Sequence, residues 1–141
     1  MREIPIDIHV DTVTGVLRNT KLFSGLGESQ LREVAAAGTM LELKAGEPLV
    51  EIDAESDGFF VILRGEARVL VRKPTAVEDL VDVARLGVGE CIGEIGVLLD
   101  EPRSARVLAS GGTLVVMRFE SEVVFAMFRR IPDFGVTVAR S

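Results

Sequence analysis

Gly93-Glu-Ile-Gly-Val-Leu-Leu-Asp-Glu-Pro-Arg-Ser-Ala105 is the stretch on which the reading of this chain turns. It sets a carboxylate, Glu94, and a guanidinium, Arg103, on either side of a short apolar turn, with Gly96 in the turn and Pro102 directly before the arginine. A carboxylate accepts hydrogen bonds from sugar hydroxyls, and the arginine fork binds phosphate oxygens bidentately. Backbone N–H groups at the start of a short helix add donors for an anion. The segment is thus suited to a ligand with hydroxyls at one end and negative charge at the other.

On either side of it, from Thr39 to Phe119, short apolar runs alternate with glycine-bearing turns. Met40-Leu-Glu-Leu-Lys meets the turn Ala45-Gly-Glu-Pro48, and Leu49-Val-Glu-Ile meets the polar turn Asp53–Gly58. Phe59-Phe-Val-Ile-Leu, Ala67-Arg-Val-Leu-Val71, Leu80–Leu86, Ser104–Ala109 and Thr113–Phe119 follow. About eight short strands at this spacing predict an antiparallel β-roll of jelly-roll type. The fold class is therefore mainly β with flanking helices.

The flanks change period. A helix is expected over 12–19 and a second over Ser29–Ala37, with Leu31, Val34 and Ala35 on its buried side and Gly38 ending it. After Phe119, Ser121 is a good N-cap, and Val124, Phe125, Phe128 and Ile131 recur at helical spacing, giving a C-terminal hinge helix that Pro132 ends or extends. Ile4, Ile6, Ile8 and Val10 alternate weakly around Pro5, which fits an edge strand or an arm. The expected plan is a single domain over 1–141: an arm (1–15), an N-terminal helical segment (16–38), the roll (39–119, with the cassette at 93–106) and C-terminal helices (120–141).

Composition excludes several classes of function. At 141 residues and 48% apolar the chain is long enough to bury one core. Its formal net charge of −6, without Trp or Tyr, disfavours direct nucleic-acid binding, which needs a basic footprint and stacking platforms. No apolar run reaches bilayer length, and the opening residues lack a basic-then-apolar signal pattern, so no membrane insertion is expected. A lone Cys91 cannot form an internal disulfide, and a cytoplasmic setting is the natural expectation.

Helix, glycine-punctuated roll, cassette and terminal helices together resemble the cyclic nucleotide-binding domains of catabolite-activator-like and protein kinase A regulatory-subunit-like proteins. The resemblance covers roughly residues 16–134. It rests on Leu22-Phe-Ser-Gly-Leu, on Asp57-Gly-Phe-Phe-Val-Ile-Leu-Arg-Gly65, on Leu86-Gly-Val-Gly-Glu-Cys-Ile-Gly-Glu94 and above all on the cassette ending in Pro-Arg-Ser-Ala. It implies a ligand, cAMP ahead of cGMP, with no cofactor and no catalytic residues. Carried over by position, Glu94 takes the ribose hydroxyl and Arg103 the cyclic phosphate. Backbone amides near Ile95, Gly96 and Ser104 complete the phosphate nest, Gly93 allows close backbone approach, and Ala105 keeps the wall narrow. Arg106, where related chains vary, would stack on the purine if it points inward and is a surface residue if it points outward. The short stretch after Pro132 leaves the base to be capped by a partner chain, by a missing segment, or poorly. An output domain elsewhere, a partner protein or a homodimer would receive the signal.

Simpler readings apply to the remaining residues. His9 is a surface residue, and its isolation disfavours a multi-histidine metal site, so no metal is expected. Cys91 is packing rather than a nucleophile, since no histidine base accompanies it. The acidic residues Glu51, Asp53, Glu55 and Asp57 lack calcium-loop spacing and read as a solvated turn. Phe125 and Phe128 read as core or hinge packing. The rival to a nucleotide sensor is a ligand-free interaction module of the same fold, in which Glu94 and Arg103 are engaged by protein groups. An enzyme is disfavoured, because no nucleophile–base pair can be assembled.

Overall fold

A computed structural model describes residues 1–5 and 10–130 of the chain. Its elements, in order, are β1 (Arg2–Ile4), α1 (Val10–Asn19), α2 (Glu28–Ala37), β2 (Thr39–Leu43), β3 (Pro48–Val50), β4 (Gly58–Lys73), β5 (Ala76–Leu86), β6 (Cys91–Ile92), α3 (Glu94–Leu99), β7 (Arg106–Glu120) and α4 (Ser121–Arg130). The expectations for Ile6, Ile8 and His9, and for Ile131, Pro132 and the segment beyond, lie outside the described residues.

The strands form one open, seven-stranded antiparallel sheet in the order β1-β2-β7-β4-β5, with β3 paired to β7 and β6 to β4. Seven replace the expected eight or so because two pairs of expected strands are continuous. Phe59–Leu63 runs into Ala67–Val71 as β4, and the strands on either side of Gly111-Gly112 join as β7. The registers of this central pair shift between Ile62 and Glu66, so one long antiparallel ladder bends instead of breaking. Gly65, at φ +87°, lies in that bend, a conformation that glycine adopts without steric cost.

The uninterrupted run Phe59–Leu63 is buried throughout because both faces of β4 are covered. With side chains alternating, Phe59 and Val61 join Val13, Leu17, Phe23, Leu31 and Phe119 beneath the helices. Phe60 and Ile62 join Leu43, Val107, Leu114 and Val116 in the interior of the roll. Phe59 and Phe119 stack at 5.1 Å between ring centroids, with Phe23 5.9 Å from Phe119. This three-ring cluster fastens the helical layer to the strands that carry the site.

α2 starts at Glu28, one residue before its expected start, and Gln30 accepts the Gly27 N–H at 2.9 Å. Its buried residues, Leu31, Val34 and Ala35, are the expected ones. Gly38 ends it, but in an extended conformation at φ −100° and ψ 172°. Glycine is needed there for packing: a Cβ would lie 2.6 Å from the Met117 methyl and 2.7 Å from the Phe119 ring. Phe125, expected as core or hinge packing, is exposed on α4, which removes the core alternative. No helix among the described residues is long and apolar enough to cross a membrane.

Candidate functional site

β6 pairs with β4, Ile92 opposite Phe60, and delivers the chain to Gly93. Gly93 reverses it at φ +87° and ψ 9°, α3 follows, and Asp100 closes that helix at φ +51° by donating its N–H to the carbonyls of Gly96 and Val97. A left-handed aspartate is tolerated better than most non-glycine residues, because its short polar side chain bonds locally. The returning segment is held by the loop after β3. Asp53 N–H donates to Arg103 O at 2.8 Å, Arg103 N–H donates to Ala54 O at 2.8 Å, and Ser56 Oγ donates to Glu101 O.

These contacts bring the ends of the cassette together around a cavity of about 370 Å³, within the ~300–1,000 Å³ typical of small-molecule sites. Gly93, Glu94, Ile95, Gly96, Arg103, Ser104 and Ala105 all line it. Val50, Val69, Leu86 and Val107 supply an apolar wall from four different strands. Arg106 is not in the lining: its Nε donates to Glu51 Oε2 at 2.8 Å.

Arg103 is the most constrained charged group of the site. It is only 6% exposed. Its Nη1 donates to Gly93 O at 3.2 Å and its Nη2 to Gly58 O. Burial pulls the guanidinium below its ordinary range; the Asp57 carboxylate opposes this fall and Arg118 adds to it. Among the described residues no carboxylate lies within ion-pair distance of Arg103, since Asp57 is paired with Arg118 at 3.2 Å. Guanidinium carries five N–H donors, so two backbone carbonyls leave three for a ligand.

Glu94 is half-buried at the start of α3 and, among the described residues, has no hydrogen-bond or ion-pair partner. Its charge, with that of Glu90, adds to the burial that pushes the neighbouring Cys91 thiol up to about 12. Cys91 lines the cavity as an inert thiol, in keeping with a packing role.

Sequence reasoning missed Ser56 and the role of the acidic turn. Ser56 is nearly buried and lines the cavity, its hydroxyl spanning from the loop to the cassette. Glu51, Asp53 and Asp57 are not merely solvated, for each pairs with an arginine: Arg106, Arg72 and Arg118 respectively. The only signal for this in the sequence was a serine amid acids, and that also describes an ordinary exposed turn. No group of three metal-ligating side chains occurs among the described residues.

A roll whose cavity is framed by a carboxylate, a buried guanidinium and a glycine-reversed short helix defines a small-ligand-binding domain. The chain belongs to the cyclic nucleotide-binding domain family, whose profile matches residues 40–130. Its fold is similar to that of the regulatory domain of Toxoplasma gondii PKA in complex with cAMP (21% identity, TM-score 0.78, covering 94% of this chain and 48% of that one). It is similar also to the regulatory subunit of a cAMP-independent protein kinase A from Trypanosoma cruzi bound to guanosine (19%, TM-score 0.79, covering 92% and 43%). Thermus thermophilus catabolite activator protein is a third (21%, TM-score 0.78, covering 86% and 55%). The chain spans about half the length of each of these relatives, and at such identities the likeness is one of fold.

Proposed function

We propose that this chain is a regulatory sensor domain that binds a cyclic purine mononucleotide, cAMP ahead of cGMP, and performs no chemistry on it. The observation that carries the reading is Arg103, a nearly buried cation at a cavity wall with no carboxylate bonded to it among the described residues. Leaving such a charge uncompensated is costly, and a phosphate is the anion its remaining donors fit. Glu94, at the same cavity and without a partner among the described residues, is the acceptor for ribose hydroxyls. Ser104 and the amides of Ile95 and Gly96 complete the phosphate end, with Gly93 and Ala105 shaping the wall. The apolar strands take the purine, and Arg106, paired with Glu51, serves the base only if that pair opens.

Signal would leave through α4. Ser121 N–H donates to Asp57 O at 2.9 Å, and Asp57 acts electrostatically on Arg103, so the start of α4 is joined to the phosphate end. A ligand that favours one placement of this unit shifts α4 by its differential affinity and no more. The receiver is an output domain, a partner protein or a second copy, in a cytoplasmic setting.

Calorimetry with cAMP, cGMP and adenosine on the native chain, Glu94→Ala and Arg103→Lys tests the reading. The expected result is cAMP binding that weakens by at least about tenfold in Arg103→Lys, which keeps the charge but loses the fork. No heat and no thermal shift at millimolar cAMP or cGMP would overturn it. That outcome would favour the ligand-free interaction module, for which the donation by Arg103 to two carbonyls of its own chain is the supporting observation.

A further inference from the structure

Asp57 is bonded to one guanidinium group, that of Arg118, and acts on a second, that of Arg103, without bonding to it. Arg118 Nη2 is 3.2 Å from its carboxylate, whereas Arg103 feels the same carboxylate only through its field. Both cations lie over the same ring: Phe60 has the Arg118 guanidinium 5.7 Å and the Arg103 guanidinium 6.0 Å from its centroid. The β4–β7 register, Phe60 opposite Arg118, fixes one of these contacts. The four residues line a further cavity of about 320 Å³, and Arg103 is common to it and to the cassette cavity. The backbone around Asp57 is tied at two points, its own carbonyl to Ser121 N–H and the next one, of Gly58, to Arg103 Nη2. What remains adjustable is which guanidinium the carboxylate joins.

We propose that Arg118 is a positioning residue that sets ligand affinity by holding Asp57, so that the carboxylate does not close onto Arg103 and take its donors. The inference rests on the anion-binding role given to Arg103 above. With Arg118 in place, the phosphate end presents an arginine anchored by carbonyls and, among the described residues, free of a counter-ion. With Arg118 neutralised, Asp57 turns to the remaining cation and competes with the phosphate for it. Arg118 thereby governs the charge that the ligand meets without touching the ligand.

The test compares Arg118→Gln, Arg118→Lys, Asp57→Asn and the Asp57→Asn/Arg118→Gln double variant by calorimetry with cAMP and with adenosine, after thermal melts establish that each variant folds. Arg118→Gln is expected to weaken cAMP by about fivefold, the upper range for a partly exposed ion pair, and to leave adenosine unchanged. Arg118→Lys retains most of the affinity. In the Asp57→Asn background the glutamine substitution has no further effect. An equal loss in both backgrounds would make Arg118 a distant attractive charge only and overturn the proposal, as would unchanged cAMP binding in Arg118→Gln. Nitrogen-15 spectra of the arginine side chains without nucleotide give a readout independent of the proposed function. A chain that binds no cyclic nucleotide refutes that function, and these spectra then decide the inference. Slowed guanidinium rotation at Arg103 in Arg118→Gln, abolished by Asp57→Asn, upholds the proposal; identical Arg103 signals in all four variants overturn it.

Discussion

Replacing Gly93 by alanine tests the central geometric claim, that one glycine both reverses the chain and makes room for the buried arginine. The alanine must hold φ near +87°, a left-handed conformation that costs an L-residue about 1–2 kcal/mol. Its Cβ would also fall on Arg103 Nη1 and lie 3.0 Å from Cζ. The guanidinium would have to shift toward the cavities it lines and give up its 3.2 Å bond to Gly93 O. A bond from a charged donor is worth about 1.5–3 kcal/mol, so the expected total is roughly 2.5–5 kcal/mol. Gly46→Ala is the control, because Gly46 has φ +86° but no atom within 4 Å of the added carbon. It should lose only the backbone part, about 1–2 kcal/mol. Urea denaturation of both variants measures the difference, and an Arg103→Ala background should abolish the excess at Gly93. Equal losses at the two glycines, or an excess that survives without Arg103, would refute the reasoning.

The Glu94 carboxylate makes no bond among the described residues, so Glu94→Gln should leave stability within about 0.5 kcal/mol by denaturation while weakening cAMP in calorimetry. Gly96→Ala places a carbon 2.6 Å from Ser56 Oγ and should destabilise by about 1–3 kcal/mol, a loss that Ser56→Ala partly relieves. For Cys91, burial raises the folded-state thiol from 9.0 to about 12, so the folded state holds its proton more tightly than the unfolded one. That contribution is intact below pH 9 and fades as pH rises toward 12, with a slope of at most about 1.4 kcal/mol per unit that Cys91→Ala removes in a pH series of melts.

The parts of this protein that the sequence made legible are those governed by local pattern. Strand period, glycine turns and the spacing of Glu94 and Arg103 lie within a few residues of one another, and they led to the roll and to a cavity lined by the expected residues. Continuity was harder to read, because Gly65 and Gly111-Gly112 resemble turns in sequence. In the structure the neighbouring strands carry the chain through them as bends of β4 and β7. Hidden altogether were pairings between distant positions. Asp57 meets Arg118, Glu51 meets Arg106, and Ser56 reaches Glu101, each across at least 45 residues of chain. Nothing in the composition of an acidic turn says which arginine, brought near by strand register, will neutralise it.

Those distant pairings bear directly on what Arg103 can do. If Gly93 and Gly58 needed only caps for their carbonyls, a neutral donor would suffice, without the desolvation of a full charge. If the fold needed a buried ion pair, Asp57 is at hand, yet it is bonded to Arg118. The arrangement spends acid on the neighbouring arginine and leaves the buried one with charge and donors to spare. Such an imbalance is tolerated where a ligand completes it, because the free energy withheld from folding then becomes available to binding. On the proposed reading, the cost of burying Arg103 and the affinity of the site are two sides of one placement, and Arg118 and Asp57 divide the charge between them.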